Sequence, residues 1–174
     1  MFSIEKCPVP VHTMLEKYSK DRVYVDCYVT ETSGHVSLHD YVVAFYTTRL
    51  FRLERFILRW MVSKSSTDKQ VRQLADGKVE RFAAWQVEDR SENEMLLSDF
   101  VGRTCSWLMT VPVNALNGDR TQLYFGSAVV PKQNPKTGEW SLGFGYQALL
   151  GFHKIYSVLL LYSAKQRIQN EQEK

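Results

Sequence analysis

The sequence predicts an α+β fold: a curved antiparallel sheet of six to seven strands wrapped on a long C-terminal helix, with two or more helices inserted after the first strand. Three observations lead there. Val23 to Glu31 alternates Val23, Val25, Cys27 and Val29 against Tyr24, Asp26, Tyr28 and Thr30, the two-residue period of a half-buried strand. After Asp76-Gly77 the chain breaks into short aromatic and β-branched runs separated by turn signals, as antiparallel strands do. From Gly145 to about Gln169, the residues Leu149, Phe152, His153, Tyr156, Leu159, Leu160 and Ser163 recur at threes and fours, the spacing of a helix. The early strand cannot satisfy its backbone groups alone, so it must join the later ones, and a sheet curved around the last helix meets both needs.

In chain order, Thr32-Ser33-Gly34 ends the first strand, and Ser37-x-x-Asp40 reads as a capping box that starts a helix near Leu38. No Gly or Pro interrupts residues 38–62; Leu50, Leu53, Phe56, Ile57, Trp60 and Met61 share one side there, with Arg52, Arg55 and Arg59 opposite and Arg49 at the margin. Thr47-Thr48 are poor helix formers and divide the stretch, while Thr67 to Ala75 adds a further turn or two. Candidate strands follow at 79–89, 94–101, 104–112, 121–131 and 139–144. Gly102-Arg103 has the chemistry of a two-residue hairpin turn, which would pair Asp99 with Ser106 and Ser98 with Trp107. One face of that hairpin holds Leu96, Ser98, Phe100, Cys105, Trp107 and Met109; it is the bulkier, carries no charge and is placed inward. Asn117-Gly118-Asp119 and residues 134–138 mark the next turns.

The 174 residues, 44% of them apolar and 24% charged, suit one domain over 1–174, with 1–20 as an N-terminal extension and 170–174 as a frayed tail. Only 9 Gly and 5 Pro exclude a fibrous or disordered chain. The net charge of +3 gives no case for nucleic acid as a partner. Three cysteines, Cys7, Cys27 and Cys105, have no C-x-x-C spacing and an odd count, which fits a reducing compartment. Residues 1–15 lack the apolar run of a leader, and the eight-residue apolar stretch 155–162 is far short of the roughly 20 residues a membrane helix needs, so a soluble cytoplasmic protein is expected.

This order of elements resembles the helix-grip fold of the START-like, polyketide-cyclase-like superfamily, which includes several uncharacterised bacterial families. The stretches that carry the resemblance are Phe82-Ala-Ala-Trp-Gln-Val87, Gly102-Arg-Thr-Cys-Ser-Trp107, Thr121-Gln-Leu-Tyr-Phe-Gly-Ser-Ala128 and Leu149-Leu-Gly-Phe-His-Lys-Ile-Tyr156, within roughly residues 23–168. Six clear strands stand where seven are usual. The resemblance implies a lipophilic or aromatic small molecule held between sheet and terminal helix, by a carrier or by an enzyme of cyclase, dehydratase or hydrolase type. Trp85, Leu96, Ser98, Phe100, Trp107, Met109, Phe125, His153 and Tyr156 are the candidate lining, with His153 and Tyr156 as the candidates for proton transfer.

Other motifs carry less. Gly143-x-Gly145-x-x-Ala148 matches a dinucleotide fingerprint, but the 26 residues after it cannot complete a nucleotide fold, and no cofactor is assigned. Ser66-x-x-Lys69, Ser98-Asp99 and Lys136-Thr-Gly138 resemble the boxes of serine β-lactamases out of context. His35 and His39 have zinc spacing, but Ser37 starts the helix between them, and no metal is assigned. Asp99 is placed outward by its register. The arginine stripe offers a third reading, contact with an anionic surface.

Overall fold

The computed structural model describes residues 4–20, 22–52, 67–115, 118–133, 140–141 and 144–173, excluding the side chains of 115, 118, 132–133, 140–141 and 144–153. The elements run β1 (Ile4–Lys6), a 3-10 helix (Met14–Tyr18), β2 (Tyr24–Ser33), α1 (Leu38–Tyr46), α2 (Asp68–Ala75), β3 (Arg81–Phe82), β4 (Trp85–Arg90), β5 (Glu94–Asp99), β6 (Thr104–Ala115), β7 (Gly118–Val129), β8 (Lys132–Gln133), β9 (Trp140–Ser141) and α3 (Phe144–Gln172). Among the described residues, seven strands form one antiparallel sheet in the order β1-β2-β7-β6-β5-β4-β3; β8 and β9 pair separately. The early strand finds its partner at the other end of the chain: β2 pairs with β7 from Tyr24↔Val129 to Ser33↔Arg120. This is the α+β arrangement of the helix-grip type, with an open sheet and a long C-terminal helix packed on one face.

Local chemistry sets the helix ends. Ser37 Oγ accepts the Asp40 amide at the start of α1, as the capping pattern requires. At its other end, Thr47 and Thr48 turn their hydroxyls back onto the Val43 and Phe45 carbonyls, and Thr48 Oγ1 then accepts the Phe51 amide, so residues 49–52 begin a separate helical segment. Thr67 and Gln70 form a reciprocal capping box on α2. His39 reaches Asp76 at 3.0 Å and fastens the start of α1 to the end of α2.

Two sequence readings of the hairpin change. Ser98 pairs with Cys105 and Leu96 with Trp107, two residues from the expected register, because the connection is a wider loop rather than a two-residue turn. Asp99 builds that loop: its carboxylate accepts from the amides of Val101, Arg103 and Thr104 and from Thr104 Oγ1, and Gly102 supplies the positive φ of +66°. A two-residue slip preserves faces, so the more consequential difference lies elsewhere. The helices α1 and α3 cover the opposite face from the one placed inward: Met95, Leu97, Leu108, Leu123 and Phe125 pack against them with Tyr28. Leu96, Cys105, Trp107 and Met109 form a second core on the far side with Cys27 and Ala128, under the N-terminal segment.

Residues 7–18 are thus a structural layer. Leu15, fully buried, sits over Gly126, where any Cβ would lie 2.3 Å from Leu15 Cδ2 and 3.0 Å from Trp107 Cε3. Only glycine leaves that hollow. One oxygen of Glu94 accepts both the Met14 amide at 3.0 Å and Trp107 Nε1 at 2.8 Å. A register shift in β4 between Val87 and Asp89 accompanies Glu88, which receives Tyr18 Oη and Lys17 Nζ, each at 2.7 Å. Both faces of the sheet therefore carry a core.

The last helix also turns differently from its sequence pattern. Ser157, Leu160, Leu161, Ala164 and Ile168 are buried, whereas Leu159 is 44% exposed and Tyr156 half-buried. The seam is rotated by about one residue, or 100°. Its polar end is helical through Gln172, because Arg167 donates to the Thr47 carbonyl at 2.9 Å and Lys165 to Thr30 Oγ1 at 3.2 Å. Among the described residues, no helix is long and apolar enough to cross a membrane.

Candidate functional site

Between the sheet and the helices lies a cavity of about 240 Å³. The alternation of β6 and β7 brings Thr104, Ser106, Phe125, Ser127 and Val129 to its floor. α1 contributes Phe45, the segment after it Phe51, and α3 Tyr156, Ser157 and Leu160. Trp85 closes one side, since pairing of Trp85 with Asp99 and Val87 with Leu97 sets its indole on the helix-covered face. The aromatic part of the wall is packed, with the Phe45 and Phe125 rings 4.9 Å apart between centroids.

Its polar groups divide into two kinds. Ser106 Oγ lies 3.0 Å from Tyr46 Oη, Ser127 Oγ donates to the buried Asp26 carboxylate at 2.5 Å, and Thr104 Oγ1 donates to Asp99 at 2.6 Å. Trp85 Nε1 and Ser157 Oγ, by contrast, are buried with no hydrogen-bond partner among the described residues. A buried unpaired polar group costs about 1–3 kcal/mol, so two on one cavity wall call for an explanation. None of the described lining residues carries a formal charge. Cys105 also borders the cavity, but its thiol belongs to the core on the far face, where burial raises it to about 11 against a hydrogen bond from Tyr18, so it is neutral near neutrality. The site can therefore enclose an apolar body and donate hydrogen bonds to an acceptor.

Of the candidate lining, Trp85, Phe125 and Tyr156 border this cavity. Leu96, Trp107 and Met109 lie on the far face beneath the N-terminal segment, Ser98 shares their side at the hairpin end, and Phe100 is 61% exposed in the β5–β6 loop. Their placement inward followed bulk and absence of charge, but the N-terminal layer demands those same properties. His153 belongs to α3, one turn before Ser157, and its side chain lies outside the described residues. Arg55, Arg59, Ser66, Gly143 and residues 134–139, with Lys136-Thr-Gly138, also lie outside them, while Arg52 is engaged by Asp68. The described strand pairs are all antiparallel, which removes the parallel context that the glycine fingerprint needs.

Sequence reasoning missed Phe45, Phe51, Ser106, Ser127 and Ser157. Ser157 left a signal: it is the one hydroxyl inside the apolar run Ile155 to Leu161 apart from its neighbour Tyr156. Comparisons with protein-family models, curated proteins and solved structures find no match to this chain.

Proposed function

We propose that this protein is a soluble, cytoplasmic binder of a compact aromatic or apolar small molecule, held between sheet and C-terminal helix, as in START-like proteins. One observation carries the reading: the unpaired Trp85 Nε1 and Ser157 Oγ on an uncharged wall whose other described hydroxyls are bonded. A ligand with a carbonyl or carboxylate at one edge would accept from them and bury its ring against Phe45, Phe125 and Tyr156. The cavity's 240 Å³ falls below the usual range of about 300–1,000 Å³, which favours a small ring system over a membrane lipid. Binding is preferred to catalysis because the described wall offers hydroxyl and indole groups without a carboxylate, lysine or imidazole.

The test is native mass spectrometry of freshly purified protein, followed by titration with aryl ketones and aryl carboxylates watched by the resonances of Ser106, Phe125 and Ser157. Saturable shifts at these three positions are expected, and Trp85→Phe should weaken binding roughly 5–10-fold, the worth of one hydrogen bond. No co-purifying mass and no shift with any ligand would end the proposal.

A further inference from the structure

We propose that Cys7 and Cys27 form a reversible disulfide, made and broken by exchange with a small-molecule disulfide or thiol, that staples the N-terminal layer to the sheet. The β1–β2 register ends at Lys6↔Tyr28, which sets residues 7 and 27 directly opposite, and the Cys7 amide donates to the Cys27 carbonyl at 3.0 Å. Opposed residues in antiparallel strands have Cα atoms about 4.5–5.5 Å apart and share a face, within the separation a disulfide spans. The two sulfurs already touch at 3.4 Å, and both are free thiols. A modest rotation of each side chain would bring them to bonding distance, about 2.05 Å, without moving the backbone.

Access and order of reaction follow from the surroundings. Both thiols border an open recess of about 400 Å³ with Lys6, Pro8, Val9 and Val25, which admits an incoming reagent. Cys7 is the more exposed of the two. Hydrogen bonding from Cys27 holds the Cys7 thiol below its ordinary value despite burial, while Cys7 itself and then burial push Cys27 up. Cys7 is accordingly the attacking thiolate. It opens a small disulfide RSSR, forming Cys7-S-SR and releasing RS⁻. Once Cys7 carries no charge, the main cause of the high Cys27 value is gone; Cys27 loses its proton to water, attacks Cys7 Sγ and expels the second RS⁻. The dithiol is oxidised by two electrons and RSSR is reduced to two thiols. Excess thiol runs the sequence backwards.

The staple closes a loop, 7–27, that contains Leu15 and the contacts to Glu94 and Glu88, so it acts on the cover of the second core. Incubation of the full-length protein with oxidised glutathione, quenching by alkylation and peptide mapping should find residues 7 and 27 linked and Cys105 still alkylatable after unfolding. The melting temperature should rise by roughly 5–10 °C and return on reduction. Cys27→Ala should halt at a lasting glutathione adduct on Cys7, and Cys7→Ser should take up none, each with an unchanged circular dichroism spectrum. A persistent Cys7 adduct in the unmutated protein, a bridge to Cys105, or two thiols that stay alkylatable would overturn the proposal.

Discussion

The two faces of one sheet treat the same side chain in opposite ways. On the face covered by residues 7–18, the Trp107 indole is fully buried and its N–H is bonded to Glu94 at 2.8 Å. On the helix-covered face, the Trp85 indole N–H is equally hidden and has no partner among the described residues. On the first face Leu15 fills the hollow above Gly126, and the recess there opens beside Cys7 and Cys27; the second keeps a cavity beside Trp85 and a row of hydroxyls. A bonded indole beneath a filled hollow contributes stability, whereas unmet donors beside empty space cost it. The difference sets an indole bonded within a packed core apart from one on a cavity wall whose N–H has no partner among the described residues.

The largest expected effect breaks the comparison most directly. Trp107→Ala should cost about 3–5 kcal/mol and lower the melting temperature by roughly 10 °C or more, since it opens a void and strips Glu94 of a donor. Trp85→Phe should shift stability by no more than about 1 kcal/mol, because the lost N–H had no bond to lose. Equal losses on urea unfolding of the two variants would erase the distinction between the faces.

A smaller effect sharpens the account of the first face. Leu15→Ala should destabilise by about 2–5 kcal/mol and Gly126→Ala by about 1–3 kcal/mol, the latter through overpacking. With both changes the new methyl occupies space that Leu15 has vacated, so the double variant should recover about 1 kcal/mol or more against the sum. Strict additivity in a double-mutant cycle would place Leu15 elsewhere.

The smallest effect is alkaline. Burial raises Cys105 from 9.0 to about 11, against a hydrogen bond from Tyr18, and the folded protein holds this proton more tightly than the unfolded chain does. Its contribution is complete below about pH 9 and is lost as pH rises through about 11. Tyr28, raised from 10.0 to about 12 by burial and then by Asp26, has the same sign over a higher window. Melting temperatures measured from pH 8 to 11 should therefore fall, and Cys105→Ser should flatten the earlier part of the decline.

Much of this arrangement is written locally. The Ser37 cap, the division at Thr47-Thr48, the alternation of residues 23–31 and the periodicity of the last helix each depend on neighbours a few residues away, and short-range sterics and hydrogen bonding make such features legible from the chain alone. The sequence also required an early strand to meet late ones, because backbone groups must pair. Tertiary structure alone decided which face of the sheet the helices cover, since both faces are buried and bulk no longer distinguishes them. It also set the one-residue rotation of the α3 seam, the meeting of Cys7 with Cys27 and the placing of Trp85 and Ser157 around one cavity. These depend on long-range packing, where residues distant in the chain compete for the same space, and no local pattern records the outcome.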